Sequence, residues 1–220
     1  MSLITLRERL VERLAPASSW RPDGPPALSD FDLNPDAARP GRVLRPAAVL
    51  AAIIARPEGA TVLMTRRADT LASHTGQIAF PGGRLDPGET AKEAALREAW
   101  EEVGLDPARV EVLGIGDGYE TVTGFMVTPV VGWLDQPPEV SPSPDEVAEV
   151  FEAPWDFLMD PANHRRDFYD PETGPRRWFW AMPWQERYIW GAPAAIVRSL
   201  RARLYGEEIA AADAVDEDAA

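Results

Sequence analysis

Residues 83–105 read GRLDPGETAKEAALREAWEEVGL, and this stretch constrains what the chain can fold into more than any other. Its spacing predicts a helix on which Glu98, Glu101 and Glu102 fall on one side of a single turn. Like charges three and four residues apart on a helix cost about 0.2–0.5 kcal/mol per pair, so a cluster of this kind calls for a cation. Ahead of the helix, Gly82 and Gly83 permit close approach of backbone, and Asp86-Pro87-Gly88 supplies the turn that delivers it. An acidic helix face standing alone is ordinarily a solvated face; the glycines and Arg97 set this one apart.

The chain has no cysteine and two histidines, so the ligands on offer are oxygens. That donor set points away from zinc and towards hard divalent ions, Mg²⁺ or Mn²⁺, which also bind substrate phosphates.

Gly83, five residues, Glu89, seven residues, Arg97-Glu98, two residues, Glu101-Glu102, one residue, Gly104-Leu105 is similar to the Nudix box. Every fixed position is present; Ala99 stands where a bulkier aliphatic residue is usual, which touches packing and not chemistry. The resemblance implies an α/β fold, the Nudix α/β/α sandwich with a mixed β-sheet. It further implies that Gly83, Glu98, Glu101 and Glu102 hold divalent ions bridging a diphosphate while water attacks phosphorus. Such ions neutralise the diphosphate oxygens and lower the pKa of bound water. Arg97 would hold a glutamate in place through a charge-assisted hydrogen bond, as an orienter and not a nucleophile.

Immediately upstream, residues 63–83 read LMTRRADTLASHTGQIAFPGG. Leu63, Met64, Thr65, Arg67, Ala68, Gly76, Phe80, Pro81, Gly82 and Gly83 fall into register with a signature of coenzyme A pyrophosphatases of the Nudix group. The substrate implied is coenzyme A, with Arg67 and Gly82 at its binding site. Ala72 departs from the pattern, which usually has a basic residue there; Arg66, Arg84 or His74 are the candidates to replace that contact, since guanidinium binds phosphate bidentately.

Downstream, residues 118–134 also look like the segment that follows the box in that subfamily. A hydrophobic strand begins near Phe125 with Val127, Val130 and Val131 in the core, and Tyr119 and Thr123 precede it where a loop could reach substrate. Asp145, Glu146 and Glu149 come next. Many Nudix enzymes place one more glutamate in this loop, and by register Glu146 is that residue, as an outer metal ligand or as the base that takes the water proton; the alternative is an exposed acidic loop.

Residues 176–191 are dense in aromatics. Such stripes usually mean core, although Trp178, Trp180 and Trp184 could stack on adenine or line a pantetheine channel. Apolar, β-branched runs at 47–54, 61–65, 110–115, 125–133 and 147–151 read as strands, alternation at 177–181 and 187–190 as two more, and helices should begin near Pro154 and Pro193.

The 220 residues suit one domain with decorations: an N-terminal amphipathic helix and proline-rich wrap at 1–46, the Nudix domain at 47–206 and an acidic, disordered tail at 207–220. Leu3, Leu6, Leu10, Val11 and Leu14 give the first helix a stripe that packs on its own domain or, alternatively, makes a homodimer contact. A net charge of −14 disfavours nucleic acid, no window is apolar enough to span a membrane, and the absence of a secretory segment makes the cytoplasm the default. Two other functions remain open: hydrolysis of another nucleoside diphosphate derivative such as ADP-ribose, and a regulatory module that binds a nucleotide without turning it over.

Overall fold

The computed structural model describes residues 1–38, 41–68 and 76–207; Ala72, His74 and the acidic end beyond residue 207 fall outside that range. Along the chain come α1 (Leu3–Arg13), β1 (Leu28–Ser29), β2 (Arg45–Arg56), β3 (Gly59–Arg67), β4 (Ile78–Ala79), β5 (Gly82–Arg84) and α2 (Ala91–Val103). They are followed by β6 (Glu111–Ile115), β7 (Tyr119–Glu120), β8 (Phe125–Leu134), β9 (Val147–Pro154), α3 (Trp155–Met159), β10 (Arg165–Tyr169), β11 (Arg177–Trp184), β12 (Arg187–Trp190) and α4 (Ala192–Tyr205).

β1 to β9 form one mixed sheet and β10 to β12 a small antiparallel one. β2 is the spine. It runs parallel to β8 from Arg45↔Phe125 to Ile54↔Leu134. Along its other edge it pairs first with β5, Ala47↔Arg84 to Val49↔Gly82, and then with β3, Ile53↔Val62 to Arg56↔Gly59. β3 continues past the end of that pairing to meet β4, and pairs along its other edge with β9, which leaves the start of β2 open for the glycine pair.

Period-two alternation in β2 feeds two cores, as expected of a strand covered on both faces. Ala48, Leu50, Ala52 and Ile54 face α2, while Ala47, Ala51 and Ile53 face the layer of α1, α3 and α4. The result is the α/β/α sandwich with a mixed sheet.

α2 comes close to the sheet because its inner face is alanine: Ala91, Ala94, Ala95 and Ala99 are all fully buried. The small residue at 99 is therefore a packing feature. A capping box between Thr90 and Glu93 starts the helix, and Gly104, at φ 69°, ends it in the left-handed conformation that glycine adopts without strain.

α1 packs on α4, with Leu6, Leu10 and Leu14 buried and Arg9 donating to the Leu204 carbonyl at 2.8 Å. Its buried stripe is narrower than the sequence suggests, since Val11 is 51% exposed. The wrapping segment is tied down at Ala15↔Ile115 and by Trp20 Nε1 donating to Thr128 Oγ1 at 3.1 Å. Among the described residues, no helix is long and apolar enough to cross a membrane.

Candidate active site

The site grows from the contact between α2 and β5. Gly83 lies opposite Ala48 on the α2 face of the sheet, and a Cβ built on it would stand 2.4 Å from Glu98 Oε1. Only a glycine lets this carboxylate sit against the strand. One residue earlier, the Gly82 amide donates to Glu102 Oε2 at 3.1 Å.

Glu102 is 4% exposed. Burial raises its pKa to about 7, the charges of Glu98 and Glu146 push the same way, and the Gly82 amide and Arg67 pull against them. Glu98 is also raised, chiefly by burial and then by Glu101 and Glu146, with Arg97 opposing. Glu98, Glu102 and Glu146 thus form one electrostatic group drawn from the helix and from the turn before β9. The backbone holds that turn in place, because Ala68 N–H donates to the Glu146 carbonyl at 2.9 Å.

Arg97 is saturated. Its Nε donates to Glu89 Oε1 at 2.8 Å; Nη1 donates to Glu98 Oε1 and to Glu101 Oε2, both at 3.0 Å; Nη2 donates to Glu89 Oε2 and to the Arg84 carbonyl, again both at 3.0 Å. Those five bonds use all five guanidinium N–H groups. Glu89, a position of the glutamate motif with no role read from it in the sequence, is the main anchor of this arginine, and its own pKa is lowered by it.

Arg67, at the end of β3, brings Nη1 to 4.0 Å from Glu102 Oε1, while its Nε is buried without a hydrogen-bond partner. A β-bulge between Arg66 and Arg67 shifts the register here, a device that re-aims side chains. Arg66 takes a different partner, with Nε 3.8 Å from Glu149 Oε2; Glu149 also binds Arg187, a cluster the sequence does not announce. The Arg84 side chain is exposed, and it is its carbonyl that joins the network. Glu101 shares Arg97 Nη1 with Glu98 and adds its charge to that of Glu98, with its side chain half exposed at the edge of the buried pair. The structure therefore gathers Gly82, Gly83, Arg97, Glu98, Glu102, Glu146 and Arg67, with Glu101 at the exposed edge of the group, and leaves the side chains of Arg66 and Arg84 outside it.

Tyr119 is a correction. It lies in β7, buried, and its hydroxyl donates to Asp30 Oδ1 at 2.6 Å, so it braces the wrapping segment instead of reaching out from a loop. Thr123 stays exposed in the turn before β8, within 2.9 Å of the Thr121 hydroxyl.

Among the described residues, no three acidic or imidazole side chains stand together as a ready-made cage for an ion. The donor set nonetheless fits a hard divalent cation. Glu98 and Glu102, each raised by burial and by the charges of neighbouring carboxylates, with Arg67 at 4.0 Å only partly offsetting Glu102, are a pair whose repulsion such an ion relieves.

A family model described as the NUDIX domain matches residues 44–173. A protein of Pectobacterium atrosepticum called uncharacterized Nudix hydrolase NudL is 42% identical over 181 residues, spanning 79% of this chain and 93% of its own. Its counterpart in Cronobacter sakazakii is also 42% identical, over 176 residues and 90% of its length. Of solved structures, the Mycobacterium smegmatis Nudix hydrolase RenU aligns with 51% of this chain and 71% of its own, at 27% identity and a TM-score of 0.42. With the domain matched over more than half of its length and relatives similar along most of theirs, the chain belongs to the Nudix hydrolase family.

Proposed function

We propose that this protein hydrolyses the diphosphate bond of coenzyme A or its thioesters, giving 3′,5′-ADP and 4′-phosphopantetheine or its acyl derivative. The observation that carries the reading is the 4.0 Å approach of Arg67 to Glu102. Arg67 belongs to the upstream element that resembles the coenzyme A signature and Glu102 to the glutamate motif, and their proximity supports reading the two as parts of one site.

Nudix hydrolases generally use divalent metal ions. Glu98 and Glu102, with Glu146 beside them, would hold Mg²⁺ or Mn²⁺, which supplies charge neutralisation at the diphosphate and a more acidic water. The chain's own residues do the rest. Arg97 fixes the Glu98 carboxylate, and the Gly82 amide fixes that of Glu102. Arg67 offers its guanidinium to a diphosphate oxygen. Glu146, on an exposed turn, accepts the proton of the attacking water. A bond forms from the water oxygen to one phosphorus, the bond from that phosphorus to the bridging oxygen breaks, and the bridging oxygen leaves on the other phosphate. The reaction is cytoplasmic in this reading, in keeping with a chain of no cysteine.

Ala72, in place of a basic residue, favours a second reading: hydrolysis of another nucleoside diphosphate derivative such as ADP-ribose, which has no 3′-phosphate to bind. Chromatography of products from coenzyme A, 3′-dephospho-coenzyme A and ADP-ribose, each with Mg²⁺, Mn²⁺ or chelator, separates the two. Metal-dependent release of 3′,5′-ADP from coenzyme A in preference to the others supports the first. Faster cleavage of ADP-ribose or the dephospho compound replaces it with the second, and binding of coenzyme A without turnover would leave a regulatory module.

A further inference from the structure

Arg187 reaches the flank of the active site from the face of the sheet opposite α2. It opens β12, paired with Trp184 of β11, and the tight turn between them holds Gln185 at φ 54°, in the left-handed region that a glutamine seldom adopts. Both strands lie outside residues 44–173, so this hairpin is an addition to the domain that the family model matches.

Its guanidinium is enclosed. Nη2 donates to Glu149 Oε1 and Nη1 to Gln185 Oε1 at 3.2 Å, while the guanidinium carbon lies 4.5 Å from the centroid of the Phe151 ring and 5.2 Å from that of Trp184. Those two rings stack at 5.9 Å, and Trp184 also meets Phe157 at 6.1 Å. Of the three tryptophans that could have served a substrate, Trp184 is thus committed to packing, Trp178 is covered by Phe168, Arg166 and Arg176, and Trp180 by Arg198. With its side chain 24% exposed against an aromatic wall, Arg187 meets less competition from water than a cation on the open surface.

Glu149 stands where β9 changes face. Phe151 and Ala153 belong to the core shared with α1, α3 and α4, and alternation puts Glu149 on their side. Arg66, its partner in register on β3, brings Nε to 3.8 Å from Glu149 Oε2 on that same side. The next pair is Arg67↔Val147, so Ala148 is the extra residue of the bulge. Val147 thereby packs in the other core, with α2. Without the extra residue, alternation from Glu149 would turn Val147 away from α2, and Glu146 joins the strand at Val147. The turn carrying Glu146 has two fixed points: Ser143 N–H donates to the Glu102 carbonyl at 2.8 Å, and Ala68 N–H to the Glu146 carbonyl at 2.9 Å. The first belongs to α2, and the second depends on the bulge.

We propose that Arg187 is a positioning residue: by holding Glu149 from the far face of the sheet, it fixes the bulge that delivers Glu146 to the carboxylates of α2. Its part in catalysis rests on the diphosphatase reading above, in which Glu146 accepts the proton of the attacking water.

The test uses the full chain with Arg187→Met, which keeps an apolar side chain on Phe151 and gives up the charge and the fork. With coenzyme A and Mg²⁺, kcat should fall about 10- to 100-fold, the usual cost of losing a group that orients another. KM should stay within about threefold of the parent, because Arg187 does not touch substrate. In a Glu146→Gln background the same substitution should cost nothing further, as for two residues that act as one. Hydrogen exchange read by NMR should show the Ala68 amide exchanging roughly tenfold faster or more, with the amides of β2 unchanged. Arg187→Lys, which restores a charge beside Glu149, should recover part of kcat. A parental kcat in folded Arg187→Met, or losses that add in the double variant, would overturn the assignment. If Arg187→Met does not fold, Glu149→Gln takes its place, since it keeps the shape and ends the ion pair; parental kcat and parental Ala68 exchange there overturn it. Failure of the diphosphatase reading looks different: the parent itself then leaves coenzyme A intact, while the exchange rate of Ala68 still decides the positioning.

Discussion

The Gly83 Cα and the Glu98 carboxylate are in such close register that one added methyl group would stand 2.4 Å from Oε1. The strand is thus shaped around the carboxylate, and the substitution that best separates chemistry from folding is the one that keeps that shape. Glu98→Gln is isosteric, removes one charge of the cluster and lessens its repulsion with Glu101, Glu102 and Glu146. Turnover should fall by about two orders of magnitude or more while the melting temperature holds or rises. Steady-state kinetics beside thermal unfolding checks this, and loss of the fold would show that the cluster is structural.

Glu102 sets a pH dependence with a definite sign. Its carboxyl goes from an ordinary value of 4.5 to about 7, through burial first and then the charges of Glu98 and Glu146. Between those values the folded chain keeps a proton that the unfolded chain has released. The stability contributed by neutral Glu102 is therefore complete below about 4.5 and is lost as pH rises through about 7. Glu98 moves in the same direction. In chelator, the melting temperature of the parent should fall between pH 5 and pH 8 by several degrees more than that of Glu102→Gln, given roughly 2–4 °C per kcal/mol for a chain of this size. Parallel curves for the two proteins would sink the argument.

How much of this was legible beforehand follows sequence distance. The helix, its carboxylates, the glycine pair and Arg97 lie within 23 residues, and β2, β3, β8 and β9 declare themselves by apolar, β-branched runs. β10, reading RRDFY, carries no such signal, because half-exposed pairing with β11 holds it in place. The two-residue strands β1 and β7 are too short to show any pattern. Asp30 and Tyr119 are 89 residues apart, and nothing local marks either as the other's partner. Arg187 and Glu149 are of the same kind, 38 residues apart and joined only through the fold.

That long-range pair makes its own prediction. Asp30 is held above the ordinary carboxylate range by burial, against which the Tyr119 hydroxyl and the Val122 amide work; Tyr119 is itself raised well above the ordinary phenol range. Tyr119→Phe takes away the hydroxyl and leaves a buried carboxyl with one donor fewer, a cost of roughly 1–3 kcal/mol. A melting point lower by about 2–4 °C per kcal/mol is the expected readout. Asp30→Asn in the same background should recover part of the loss, since a neutral group is cheaper to bury; an unchanged melting point in Tyr119→Phe would make the contact incidental.

Arg97 is where charge and geometry can be told apart. Its five donors reach Glu89, Glu98, Glu101 and the Arg84 carbonyl at once. Lysine keeps the charge but offers three donors from a single nitrogen, which cannot span the same partners. Arg97→Lys should therefore leave the fold intact, loosen Glu98 and weaken activation by Mn²⁺ about 10- to 100-fold, the usual cost of losing a group that orients a ligand. Glu101→Gln is the control. Its side chain is half exposed, so its ion pair with Arg97 contributes under about 1 kcal/mol and the variant should stay close to the parent. Titrating turnover with Mn²⁺ for parent, Arg97→Lys and Glu101→Gln reads both effects. Parental activation in Arg97→Lys would mean that charge alone suffices, and a Glu101→Gln defect as large as that of Glu98→Gln would put Glu101 back among the ligands.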